Sequence, residues 1–132
     1  MNVIYIAGPF RGKSAWDIEQ NIRIAESLSL EVWSKGMAAL CPHANTRFFQ
    51  GSLPDQVWID GDIELLSRCD AVLMTPWWGT SIGAKGERQW ALEHDKPVFY
   101  SIEDLEKWNY DERYNDNNEK EKRETPNFPS SV

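Results

Sequence analysis

Asp70-Ala71-Val72-Leu73-Met74-Thr75-Pro76 opens the stretch that decides the fold, which continues through Ser81-Ile82-Gly83-Ala84-Lys85-Gly86-Glu87 to Pro97-Val98-Phe99-Tyr100. Ala71 to Met74 is short, apolar and partly β-branched, and a Thr-Pro turn closes it, as expected of a buried strand. Ala84 to His94 carries Ala84, Trp90 and Ala91 on one side and reads as a helix. Pro97 to Tyr100 reads as the next strand. Strand, loop, helix and strand make a βαβ unit, and such sheets hold ligands in the loops beyond the strand carboxyl ends. Ser81 and Gly83 fall in that loop, and Glu87 falls about one turn into the helix. The helix start offers free N–H groups and a favourable dipole to an anion. A carboxylate that close is placed to act on what the anion anchors.

Working outward, Val3 to Ala7 reads as a first strand that ends in the loop Gly8-Pro9-Phe10-Arg11-Gly12. A helix is expected from Asp17 to Lys35, with Ile18, Ile22, Ala25 and Leu28 at helical spacing and Gly36 just past its end. Met37 to Cys41 reads as a second strand, and His43 to Asp55 as a long functional loop. Gln56 to Arg68 reads as a helix with Val57, Ile63 and Leu66 turned inward. A short helix, Glu103 to Trp108, closes a domain spanning 1–108. The polar residues 109–132 read as a tail that is disordered or docks on a neighbour. Four strands alternating with helices predict an α/β fold: a Rossmann-like three-layer sandwich on a four- to five-stranded, mostly parallel sheet. Right-handed crossovers then bring Arg11, His43, Ser81 and Glu87 to one cleft.

The chain has 132 residues and a formal net charge of −7, which suits one domain and opposes binding to a nucleic acid polymer. Cys41 and Cys69 lie in or beside apolar runs and read as two buried thiols in a reducing compartment. No apolar run is long enough for a membrane helix, and Met1 leads straight into a strand. A cytoplasmic protein is expected, in the host cytoplasm if a phage encodes it. A lone Pro42-His43 pair gives no metal-binding spacing, and no cofactor is expected.

Ala7 to Ser14 imitates a phosphate-binding P-loop that would close on Gly12-Lys13-Ser14. Pro9, however, removes a backbone N–H that such a cradle uses. Three blocks taken together carry a different likeness: Tyr5-Ile6-Ala7-Gly8-Pro9-Phe10-Arg11-Gly12, then Asp62-Ile63-Glu64-Leu65-Leu66 with Cys69-Asp70-Ala71-Val72, then Ser81 to Glu87. In order and spacing they resemble the nucleoside 2-deoxyribosyltransferase-like superfamily. Among its functional relatives are the 2′-deoxynucleoside 5′-monophosphate N-glycosidases. Pro42-His43 and Trp77-Trp78-Gly79 are similar to its small phage and bacterial branch. The resemblance covers roughly the first hundred residues.

That resemblance implies cleavage of the N-glycosidic bond of a nucleoside or nucleoside 5′-monophosphate, by hydrolysis or base transfer. Glu87 would be the nucleophile or oxocarbenium-stabilising carboxylate. Asp62 would assist proton transfer to the leaving base or orient the sugar hydroxyls, and Tyr5 would hold Glu87. Gly8, Arg11, Gly12 and Ser81 would hold a 5′-phosphate. Phe10, His43, Trp77 and Gly83 complete the expected substrate-binding set, with Trp77 or Trp78 stacking on a base or packing a subunit interface. Pro9 stands where the monophosphate hydrolases commonly carry a serine. No residue from Ser101 to Val132 matches the polar group that a neighbouring subunit often supplies. The family is commonly dimeric or higher, and seven tryptophans point the same way, so a homo-oligomer is expected.

Taken singly, these residues have plainer readings. Glu87 beside Lys85 and Arg88 suits a solvated helix face, Asp62 a helix-start carboxylate, Tyr5 a strand core, and His43 a satisfied loop residue. A binding module that senses or sequesters a nucleotide derivative without chemistry stands as the alternative to the enzyme.

Overall fold

The computed structural model describes residues 1–123. The elements are β1 (Val3–Ala7), α1 (Ala15–Ser34), β2 (Ala38–Leu40), the one-turn α2 (Pro42–Asn45), α3 (Asp55–Ser67), β3 (Ala71–Met74), a 3₁₀ turn (Trp78–Thr80), α4 (Ile82–Glu93), β4 (Val98–Phe99) and α5 (Ile102–Arg123). The four strands form one sheet in the order β2-β1-β3-β4, and every pairing is parallel. Tyr5 lies opposite Leu40 on one side and Val72 on the other. The fold is therefore the expected α/β type, with four strands and none antiparallel.

Strand alternation divides the core into two layers. Ile4, Ile6, Ala71 and Leu73 face α1 and α5, where they meet Ala25, Val32 and Leu105. Tyr5, Ala7, Val72 and Met74 face α3 and α4, where they meet Leu66, Ala84 and Ala91. Strands buried on both faces read as continuous apolar runs, which is why they stand out in the sequence. Serine hydroxyls begin three helices: Ser14 accepts from the Asp17 N–H, Ser81 from Ala84 and Ser101 from Asp104, each satisfying an otherwise unpaired donor. Both cysteines are free thiols, Cys69 buried and Cys41 half-buried.

Three expectations need correction. Val57 is 44 % exposed rather than inward; Ile63 and Leu66 carry the core face of α3. The long loop after β2 begins with the helical turn α2. The helix expected to end at Trp108 runs on to Arg123, so the first part of the polar tail is helical. Leu105 is buried, Trp108 packs on Phe99, and buried Asn109 accepts a hydrogen bond from Asn2 at 2.9 Å. Those turns are nucleated by packing, and helix propagation past them costs far less than nucleation. The remainder of the expected tail, 124–132, lies outside the described residues. Among the described residues no helix is long and apolar enough to cross a membrane.

The chain reverses direction across the sheet between β1 and β3, and the β1 exit there passes very close to β3. A Cβ added to Gly8 would lie 1.7 Å from Thr75 Oγ1 and 2.8 Å from Thr75 Cβ, and the Thr75 N–H donates to the Ala7 carbonyl at 2.7 Å. Gly8→Ala is expected to lower the urea-unfolding free energy by about 2–3 kcal/mol or more, because the backbone must separate. Gly61, in mid-α3, has open space around its Cβ position. Gly61→Ala is therefore expected to raise stability by up to about 1 kcal/mol.

Candidate active site

A cavity of about 560 Å³ opens beyond the carboxyl ends of β1 and β3, the crevice where open α/β sheets take ligands. Four chain segments build it. The loop after β1 supplies Gly8, Phe10 and Arg11, α2 supplies His43, one face of α3 supplies Asp62, and the start of α4 supplies Ser81, Gly83 and Glu87. Tyr5, on β1, lies at its base. The convergence of Arg11, His43, Ser81 and Glu87 expected from topology is what the structure contains. Trp77 and Gly12 lie outside the lining. Trp77 is 69 % exposed in a left-handed turn, and a Cβ on Gly12 would come within 2.4 Å of Asp17 Cβ, so Gly12 serves a tight turn. Asp17 also places a carboxylate in the first turn of α1, which opposes an anion there and removes support for a P-loop.

Glu87 and Asp62 are the two cavity carboxyls whose ionisation the fold perturbs. Burial pushes the Glu87 carboxyl from 4.5 up to about 7; the Tyr5 hydroxyl opposes that shift and the charge of Asp62 adds to it. Burial likewise raises Asp62 from 3.8 to about 6. The plain helix-start reading of Asp62 fails on position, since it lies two turns into α3. Tyr5 is fully buried, and burial together with Glu87 and Asp62 raises its pKa well above 10. Its hydroxyl thus stays protonated beside the Glu87 carboxylate, short of a well-aligned hydrogen bond. Two carboxyls held near neutrality in one cleft are the usual mark of acid–base or charge-stabilising chemistry.

His43 and Arg11 each have a structural partner, while the buried His43 Nδ1 has none among the described residues. His43 is 7 % exposed, and its Nε2 contacts the Pro9 carbonyl at 2.8 Å, so Nε2 carries the proton. Burial lowers its pKa and keeps the ring neutral. Its edge packs on Phe10, so His43 clamps the β1 loop as well as lining the cavity. Asn21 reinforces the clamp by donating from Nδ2 to the Phe10 and Arg11 carbonyls, each at 3.1 Å. The Arg11 guanidinium is paired with Asp55 across the cavity mouth.

Asp55, Trp58, Ile59 and Asp62 all line the cavity. They stand at i, i+3, i+4 and i+7, so a whole stripe of α3 faces the ligand space. From the sequence only Asp62 is expected there; the i, i+3, i+4, i+7 stripe is the signal that would have found the other three. Among the described residues, no three His, Cys, Asp or Glu side chains gather to hold a metal.

Folding raises the Glu87 pKa, so the folded protein holds that proton more tightly than the unfolded chain. Its contribution to stability is best below the ordinary carboxylate range and declines as pH rises through about 7. Glu87→Gln removes this penalty. The variant is expected to be more stable than wild type at pH 8, by at most about 3 kcal/mol. At pH 5 the gain should largely vanish, as paired thermal melts at the two pH values would reveal.

No curated protein matches the sequence. A family model matches residues 2–101, a span that runs from β1 through β4 and includes the entire cavity lining. The chain belongs to the family described as Domain of unknown function (DUF7768).

Proposed function

We propose that the protein cleaves the N-glycosidic bond of a nucleoside or nucleoside 5′-monophosphate. The observation that carries this reading is Glu87, a half-buried carboxylate in the second turn of α4, beside the Tyr5 hydroxyl and sharing one cavity with a second carboxyl, Asp62. As the C1′–N bond breaks, its electron pair leaves with the base and positive charge develops on the sugar. The Glu87 carboxylate adds to C1′ or stabilises that charge, and the base nitrogen takes a proton delivered through Asp62. Water, or a second base in a transfer reaction, then attacks C1′ and frees Glu87. Glycoside cleavage by paired carboxylates follows the same division of roles. Gly83, at the cavity wall, lets a sugar approach the backbone of α4.

The non-catalytic binding module is the second reading, favoured by Pro9 and by the engagement of Arg11 with Asp55. Base release separates the two. Glu87→Gln is expected to bind a nucleoside or nucleotide and to lose at least about a thousandfold in turnover, since the group acts mainly in the transition state. Glu93→Ala, on the exposed side of α4, should leave turnover unchanged. Wild-type kcat/KM should fall on the acid side of about pH 7 as Glu87 takes up a proton. In Asp62→Asn that limb should move to lower pH, because a like charge has gone. Unaltered turnover in Glu87→Gln sinks the enzyme reading. Binding without base release from any nucleotide puts the binding module in its place.

The reading includes self-association. Trp16 at one end of α1, and Leu30 and Trp33 at the other, are exposed apolar groups that a second copy would cover. Light scattering is expected to give a dimer or larger assembly, and a monomer at every accessible concentration would remove this part of the proposal.

A further inference from the structure

The cavity has an uneven charge balance. Its lining includes three carboxyls, Asp55, Asp62 and Glu87, and a single guanidinium, Arg11. That one cation is already engaged: Arg11 Nη2 pairs with Asp55 Oδ2 across the cavity mouth. Asn21 holds the Arg11 carbonyl from below, so the loop that presents Arg11 is fixed in position. Asp55 is the first residue of α3, where the helix dipole favours a carboxylate. The two charges therefore meet from two anchored elements, 44 residues apart in the chain. Pro9 offers no N–H to an anion, and His43 is kept neutral by burial.

A 5′-phosphate dianion entering this mouth would approach Arg11 and Asp55 together. The attraction of one is largely cancelled by the repulsion of the other. A 5′-hydroxyl meets no such conflict, because it can donate to Asp55 and accept from Arg11 without displacing either. We propose that Asp55 sets the substrate class of this site, holding Arg11 neutralised so that the cavity takes nucleosides in preference to nucleoside 5′-monophosphates. This rests on the N-glycosidase reading and narrows it. It also departs from the expectation that Arg11 and Ser81 serve as a phosphate clamp. The Ser81 hydroxyl caps its own helix by accepting the Ala84 N–H at 3.1 Å.

The ion pair is solvent-exposed, with side-chain exposures of 68 % and 46 %, so it adds little to stability and can be altered without unfolding the protein. Its effect is on which ligand charge is tolerated. Removing one unit charge a few ångströms from a partly solvated phosphate changes affinity by about tenfold.

The test is a calorimetric titration of each common 2′-deoxynucleoside and its 5′-monophosphate into full-length Glu87→Gln protein, with and without Asp55→Asn. With Asp55 present, the nucleoside should bind at least as tightly as its monophosphate. With Asp55→Asn, the ratio should shift about tenfold toward the monophosphate. The shift should shrink in 0.5 M salt and disappear when Arg11→Gln is added. Thermal melts of each variant distinguish this from a general loss of structure, which would weaken both ligands alike. A clear monophosphate preference with Asp55 in place overturns the proposal, as does an unchanged ratio in Asp55→Asn. Either result leaves the N-glycosidase reading intact. Binding of neither ligand class overturns both.

Discussion

The close passage of the β1 exit over Thr75 is the constraint on which the rest of the molecule depends. Tyr5 and Ala7 must reach the α3–α4 layer while Ile4 and Ile6 fill the α1–α5 layer, so β1 has to lie flush against β3 through its final residue. The Thr75 N–H to Ala7 carbonyl bond closes that register, and any side chain at position 8 would open it. Once β1 and β3 are locked there, their loops diverge to either side and leave the crevice between them. The cavity is thus a consequence of topology, and Tyr5 reaches its base because it is the last tyrosine-sized residue on the face turned toward α3 and α4. The position of Glu87 follows from the same lock, since α4 begins only a few residues after Thr75 and packs through Ala84 and Ala91 on that face.

Most of this framework is legible in the residues. Ala71 to Met74 is apolar throughout because both of its faces are covered, and a run so short fits only a buried strand. Ser81 is legible as a helix cap, and the helix carries Glu87 to the same crevice that receives Arg11 and His43. What escapes a linear reading is pairing over distance and mixed periodicity. In α3 the core stripe of Ile63 and Leu66 runs beside the cavity stripe of Asp55, Trp58, Ile59 and Asp62, so the apolar residues form no single face and Val57 reads as inward when it is not. In α5 the buried residues stop, among those described, at Asn109, while the helix they nucleate continues over polar residues that carry no hydrophobic period. The pairing of Arg11 with Asp55 has no local signature at all.

The partners of the cavity residues also change what those residues can do. His43, read alone, suits a satisfied loop residue; with Nε2 on the Pro9 carbonyl it is the strut that holds the β1 loop in place and also lines the cavity. Phe10 is fixed by the His43 ring and by Asn21. This loop is therefore preorganised by side chains rather than by glycine turns alone, and a ligand that enters pays little to order it. Trp77, by contrast, stands away from the cavity in a left-handed turn, and the aromatic rings that line it are Tyr5, Phe10, His43 and Trp58.

The same burial that costs stability gives the carboxylate at position 87 its value on the N-glycosidase reading. In water a carboxylate gains little from a nearby positive charge, because solvent screens both. Beneath α4 the Glu87 carboxyl has lost much of that solvent, which is what lifts its pKa toward 7, and a charge developing at C1′ would restore in one step the partner that folding withheld. Tyr5 and Asp62 act on this balance in opposite senses. The phenol favours the anion, and the second carboxyl keeps its ionisation reluctant. A fully solvated glutamate would make the protein more stable and the site less responsive to a cationic transition state. The strain at this site is electrostatic, and on that reading it is concentrated at the one group whose relief requires positive charge on the ligand.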